Sequence, residues 1–340
     1  MTTQFKVSIC LPTFNRPELI GQCIDSCLGQ THKNIEIVIG DDSKDDCTQQ
    51  LIAARYANDP RIRYMRNEPS LGQAGNVASL FERATGDKIL LIHDDDYLVD
   101  TGIERLLSLW DIHPDLEVAF GDQYEVDQEG RVDHAASSQL NADFYRTKVT
   151  EGLQKLPGRT GLIQMFPNNG WLANAALVKR IGYTGQYGPC CDFVFGTQLC
   201  VAATKVYYLN EYVSCYRKTA VSISQSTRGS TNSAPVFAYA FVCGLTLDPR
   251  LEPARRIALR RLVPIVVSAW SKNGDPLKGL QIAVDHLFAY NYGLSPRLYF
   301  HLLLISRAML AMRRHVVSAS PLPPHGGSGE SQGLTDRRAG

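Results

Sequence analysis

The chain lacks net charge: 35 basic and 34 acidic side chains leave a formal +1 over 340 residues. That balance excludes the basic excess on which nucleic-acid binding rests, so no nucleic acid is expected as a partner. Paired CxxC motifs are also missing, and the nine cysteines follow no secretory leader, since Met1 to Phe5 runs straight into a strand pattern. Neither feature supports a disulfide framework, and a cytoplasmic, reducing setting is the expectation. Cys190 and Cys191 stand together without further ligands nearby and are read as structural. No internal repeat is evident. Long apolar runs are scarce too: the longest, Arg297 to Val317, is broken by Ser306 and Arg307, which argues against a spanning helix and for a packed or interfacial one.

What is present is 44% hydrophobic residues, enough for one principal core, and one conspicuous run. Ile89-Leu90-Leu91-Ile92 ends in His93-Asp94-Asp95-Asp96, an apolar strand closing on three carboxylates. Three adjacent aspartates repel one another unless water, basic side chains or a metal offsets the charge. Hard cations such as Mg²⁺ or Mn²⁺ suit oxygen ligands, and Mg²⁺ is commonly shared between one or two carboxylates and substrate phosphates. The plainer alternative is a solvated acidic turn before the helix that begins near Thr101.

Upstream, strands and helices alternate. Lys6 to Leu11, Ile35 to Ile39 and Arg61 to Arg66 read as strands; Pro17 to Gln30, Leu51 to Ala57 and Gln73 to Ala84 read as helices. Alternation of this kind predicts crossover units and a mostly parallel, Rossmann-like α/β sheet flanked by helices. Strand ends of such a sheet gather on one edge, so Pro12-Thr13-Phe14-Asn15-Arg16, Asp41-Asp42 and the Asp triplet should meet. Phe14 offers a flat face to a base, Arg16 a charge for phosphate, and Asp42 an acceptor for an imide N–H or a ribose hydroxyl. Together these residues describe a nucleotide pocket. Asp41-Asp42-Ser43 taken alone reads equally well as an Asx turn.

These segments carry a resemblance. Val7 to Arg16, Gln30-Thr31, Ile37 to Ser43, and Gly86 to Ile89 leading into His93 to Asp96 resemble, in order and spacing, the family 2 glycosyltransferases of the GT-A fold. Similarity is strong from about 6 to 121, moderate to about 218 and absent afterwards. The resemblance implies transfer of a sugar from a nucleotide-diphosphate donor, UDP or dTDP by family habit, to a hydroxyl on a saccharide or lipid-linked acceptor, with inversion and with Mg²⁺ or Mn²⁺. Carried over position by position, it places Pro12, Thr13, Phe14, Arg16, Asp42, Asp94 and Asp95 at the nucleotide sugar. Asn76 either faces that substrate or simply occupies the first turn of its helix. The metal falls to Asp96 with Asp94, or to Asp95 with Asp96, because the usual first Asp of the motif is His93 here. Asp192, in Gly188-Pro189-Cys190-Cys191-Asp192-Phe193, matches the family's general base, although Cys191 replaces the usual polar neighbour; the plainer reading is a cap on the helix from Phe193. Trp171 stacks on an acceptor ring or packs in the core.

The organisation expected is a catalytic region over 1–228 (nucleotide-sugar half 1–121, acceptor half 122–228), a helical extension over 229–317 and a disordered tail over 318–340. The polar stretch Ser222 to Ser230 reads as a lid or a linker. The family setting puts the enzyme on glycan or glycolipid synthesis, at the cytoplasmic side of a plasma membrane touched peripherally through 297–317. Two rivals remain: a nucleotidyltransferase acting on sugar phosphates, which should carry a Gly-rich basic loop that residues 10–20 lack, and a noncatalytic nucleotide-sugar-binding protein.

Overall fold

A computed structural model describes residues 5–219, 230–288 and 295–318, with side chains to 311. The stretch expected as a lid, the boundary placed at 228 and the tail from 319 lie outside the described residues.

Strand β1 (Val7–Thr13) is followed by α1 (Pro17–Leu28), β2 (Ile35–Asp41), α2 (Cys47–Tyr56), β3 (Ile62–Arg66), α3 (Gly72–Arg83) and β4 (Lys88–Leu91). The sequence dictates these elements locally. Every residue of β2, Ile-Glu-Ile-Val-Ile-Gly-Asp, is buried, as a strand covered on both faces requires,. Pro17 opens α1 at a position whose N–H has no intrahelical partner anyway, and Ile20, Cys23, Ile24 and Cys27 make its buried stripe,. β1 to β4 pair in parallel in the order β3-β2-β1-β4. The expected alternation is therefore present, with helix α2 starting four residues before the expected Leu51 because Thr48 packs inside.

The chain continues through β5 (Tyr97–Leu98), α4 (Gly102–Ile112), β6 (Val118–Val126), β7 (Val132–Asp133), α5 (His134–Asp143), β8 (Gly152–Leu153), α6 (Pro157–Leu162), β9 (Trp171–Asn174), α7 (Ala175–Ile181), α8 (Cys191–Ala202) and β10 (Val206–Arg217). β9 slots between β4 and β6, antiparallel to both, and β10 runs parallel to β6, so one sheet continues as β3-β2-β1-β4-β9-β6-β10-β5. Along β1, Val7, Ile9 and Leu11 point to the layer of α1 and α4, while Cys10 points to that of α3, α7 and α8. This alternation is the period-two signature of a doubly covered sheet.

Helices α9 (Ala234–Gly244), α10 (Glu252–Asn273), α11 (Pro276–Asp285) and α12 (Pro296–Ser318) follow. They bury Phe241, Val242, Leu262, Val263, Val266 and Ile282 together with Cys190 and Val194 of the α8 region, so their core is continuous with the region that carries the sheet. α12 packs through Leu298 and Ile305 and leaves Tyr299, Phe300, Leu303 and Leu310 exposed. Among the described residues no helix is long and apolar enough to cross a membrane.

An internal carboxylate ties the parallel strands together. Glu36 of β2 accepts from Ser8 Oγ at 2.5 Å, Thr85 N at 2.6 Å and Lys6 Nζ at 3.0 Å. Burial works against its charge, but these donors prevail and hold its pKa down to about 2,.

Candidate functional site

The three polar clusters meet at the C-terminal edge of the parallel strands. The loop after β1 sits in the middle. Its Thr13 Oγ1 donates to Asp94 Oδ2 at 2.8 Å, and Arg16 Nη1 donates to Asp94 Oδ1 at 3.0 Å and to Asp95 Oδ2 at 2.8 Å. On the other flank, Asp42 N donates to Thr13 O, Asn15 N to Ser43 Oγ, and Lys44 N to Asn15 Oδ1. Asn15 makes this possible by adopting a left-handed φ of 52°, a conformation Asn tolerates better than most residues,. Pro12 is half-buried where β1 meets the loop. Phe14 follows with 48% of its surface exposed, which leaves a ring face open beside Asp42 and the triplet.

Two expected nucleotide residues face inward. Asp42 Oδ1 accepts from Asn67 Nδ2 at 2.7 Å and from Leu71 N at 3.2 Å. Asn76 is buried: its Nδ2 donates to Gly40 O, and its Oδ1 accepts from Asn67. A Cβ on Gly40 would lie 2.0 Å from Asn76 Oδ1, so this glycine is what lets α3 seat against β2. The Asn76 amide thus joins α3 to β2 from the first turn of its helix, the plainer of its two readings. Asp41 forms the Asx turn, accepting from Ser43 N at 2.8 Å, with its second oxygen held by Tyr64.

The triplet folds into a tight turn, Asp96 N donating to His93 O at 3.1 Å, and the adjacent Asp94 and Asp95 carboxylates converge on the one Arg16 nitrogen. Asp96 points inward, where Asn169 Nδ2 donates to Oδ2 at 2.5 Å and Arg217 N to Oδ1 at 2.9 Å. Burial and the neighbouring Asp95 push its pKa up to about 7, against the pull of His93 and these donors. Burial likewise raises the pKa of Asp94 from its ordinary value, despite the opposing charge of Arg16. Asp95 is less enclosed, 17% of its side chain being exposed.

This arrangement bears on the expected cation. Among the described residues no three His, Cys, Asp or Glu side chains form a closed metal cage. In this structure all three aspartates accept from protein donors, Asp94 from Thr13 and Arg16, Asp95 from Arg16, and Asp96 from Asn169 and Arg217 N. Asp95 offers hard oxygen at the surface, and its donor set fits a cation that takes most of its ligands from substrate phosphates and water.

Asp192 reaches the same place from α8. It lies in the helix's first turn with 30% of its side chain exposed, and its Oδ1 stands 3.6 Å from His93 Nε2. That imidazole nitrogen is buried without a hydrogen-bond partner. Burial disfavours its charge, but Asp192 and the triplet outweigh it and raise its pKa. Tyr183 OH donates to the same Asp192 oxygen. Beyond Asp192 a cavity of about 300 Å³ opens, lined by Gln123, Arg146, Asn168 and Phe193 among others. The alternative placing Trp171 on an acceptor ring is corrected: it is 1% exposed and packs between Phe166 and Phe195.

Sequence reasoning missed Asn169 and Arg217, which fix Asp96, and Tyr183, which orients Asp192. Only Tyr183 left a trace, a tyrosine straight after the left-handed Gly182 and nine residues before the acid. The pairing of His93 with Asp192 links positions 99 residues apart and has no local signature.

Comparison with known proteins gives a consistent picture. Residues 8–168 match the family described as glycosyl transferase family 2. A GalNAc(5)-diNAcBac-PP-undecaprenol beta-1,3-glucosyltransferase of Campylobacter jejuni is 32% identical over 104 residues, 30% of this chain and 34% of that protein. A chondroitin synthase of Escherichia coli is 32% identical over 151 residues, 43% of this chain and 21% of that one. The chain thus covers about a third or less of the length of these relatives. Among solved structures, S. aureus TarS 1–349 in complex with UDP-GlcNAc matches with a TM-score of 0.59 at 17% identity, over 84% of this chain and 81% of that one. Mannosyltransferase PcManGT from Pyrobaculum calidifontis, in complex with GDP-Man and Mn²⁺, matches with a TM-score of 0.58 at 14% identity, over 93% and 88%. At such identities the likeness establishes the fold, GT-A.

Proposed function

Residues 8–168 make this chain a member of glycosyl transferase family 2, and from that premise we propose that it moves a sugar from a nucleotide-diphosphate donor to a hydroxyl acceptor on a glycan or glycolipid by a single inverting displacement. The observation that carries the reading is the meeting of Phe14, Asp42, the Asp triplet and Asp192 at one sheet edge, with His93 and Asp192 only 3.6 Å apart. A pure binding module has no need of a partly exposed carboxylate held there by a tyrosine.

In this reading Phe14 stacks on the base, Arg16 faces the diphosphate, and Asp95, backed by Asp94 and Asp96, holds Mg²⁺ or Mn²⁺. A bound cation would neutralise charge on the departing nucleotide diphosphate. Asp192 takes the proton from the acceptor hydroxyl, and Tyr183 holds the carboxylate oxygen so that the other remains free for the substrate. Relatives and neighbours supply the substrate classes: UDP-GlcNAc and UDP in TarS, and a polyprenyl-diphosphate glycan in the name of the C. jejuni enzyme. The described part of α12 bears no acidic residue, and its exposed Tyr299, Phe300, Leu303 and Leu310 beside Arg307 suit peripheral contact with an anionic membrane face,.

The test is a transfer and hydrolysis assay over a panel of UDP-, dTDP- and GDP-sugars with and without Mn²⁺, accompanied by thermal shift. At least one nucleotide sugar should raise the melting temperature and be consumed. If none of them binds or turns over, the reading fails.

A further inference from the structure

The cavity beside Asp192 does not end there. Phe144, Gln164, Asp192 and Phe193 also line a second, larger cleft of about 610 Å³, within the size range of small-molecule sites,. Gln164, at the junction, is held at a left-handed φ of 61°, a backbone state disfavoured for a residue with a side chain,. The two spaces are otherwise lined by different residues. Gln123, Arg146 and Asn168 line only the first, where Arg146 donates to Gln123 and Gln123 to Asn168. The second is walled by Pro189, Cys190, Pro235, Ala238, Leu262 and Ile265.

Its two further charged residues are already engaged. Arg261 donates to the carbonyls of Asp143 and Ile163 at 2.7 and 3.3 Å and lies 4.9 Å from the Tyr145 ring centroid. The Asp143 carboxylate accepts from Gln139 at 2.6 Å. Arg261 thereby pins α10 to the catalytic half, so the apolar wall keeps a fixed place relative to Asp192. Ile265 stands at the opening with 45% of its surface exposed.

We propose that this cleft receives the hydrocarbon aglycone of the acceptor, so that helices α9 and α10, which lie beyond the family-matched residues 8–168, select an amphipathic acceptor over a free sugar. The proposal rests on the reading of Asp192 as the acceptor-side base: the hydroxyl lies at Asp192, the sugar ring in the smaller cavity, and the chain runs over Phe193 onto Leu262 and Ile265.

Butyl, hexyl and octyl glycosides, kept below their micelle concentrations, test it by calorimetric titration of the full chain. Each fully buried methylene tightens binding about fourfold, so even partial burial should strengthen it at least tenfold from butyl to octyl. Ile265→Glu should flatten the series and Ile265→Ser reduce its slope, with melting temperature as the check on folding. Val284→Glu, at an exposed position of α11 outside the cleft, should keep the wild-type slope. A flat wild-type series, or a slope lost equally in Val284→Glu, overturns the proposal. A steep series that depends on Ile265, from a protein that consumes no nucleotide sugar, supports the cleft while refuting the transferase reading, so the two failures are separable.

Discussion

The nucleotide-side edge and the acceptor side of this molecule are built on opposite principles. At the first, charged groups are locked before any substrate arrives: Thr13, Arg16, Asn169 and Arg217 N hold the Asp94–Asp96 turn from four directions. At the second, one carboxylate, Asp192, is steadied by a single tyrosine and opens onto two cavities. On the proposed reading the first edge holds a diphosphate of fixed chemistry, for which preorganised dipoles and charges serve best. On the same reading the second admits the acceptor, for which open space beside the carboxylate serves better.

The sharpest way to break this contrast is Asp192→Asn. As the base it should lower kcat about 10³-fold, within the range for general bases, while donor affinity stays near wild type; unchanged transfer in a steady-state assay would remove Asp192 from that role. The rigidity of the nucleotide half is probed through Glu36. Its pKa of about 2 lies below the ordinary 4.5, so the stability it adds is complete above that ordinary value and is lost as pH falls towards 2,. Glu36→Gln should cost about 2–3 kcal/mol at pH 7 by this linkage, and chemical denaturation at descending pH should find the gap to wild type closing. Phe14→Ala, which removes an exposed ring rather than a core one, should weaken nucleotide binding about tenfold, the size expected for one stacked base, with little change in melting temperature. The mildest change, Tyr183→Phe, keeps the packing but frees Asp192 to rotate. A fall in kcat of about threefold to tenfold with KM for the nucleotide sugar unmoved would mark orientation as its task.

Legibility in the sequence follows the same divide. The nucleotide half announces itself because β-strands covered on both faces must be continuous apolar runs, and each ends in its polar cluster within a few residues. Phe14, Arg16, Asp42 and Asp94–Asp96 were therefore readable as one neighbourhood. The inward turn of Asp96 was not, since Asn169 and Arg217 come from 73 and 121 residues away. Asn76 illustrates the converse: an amide at the start of a helix beside the site also has a structural task, bonding Gly40 O and Asn67, that the sequence does not show. On the acceptor side, Asp192 was legible only through resemblance, and the cleft that α9 and α10 build against Phe144 and Phe193 is a product of tertiary packing with no motif of its own.

β9 carries a mechanical consequence. Because it bonds to β4 on one side and to β6 on the other, the two regions share an unbroken ladder and have no seam along which to hinge. On the proposed reading, any motion that admits substrates then falls to side chains and connecting loops at the rim, on their faster timescale, while the strand ladder keeps Asp192 and the Asp triplet at a fixed separation.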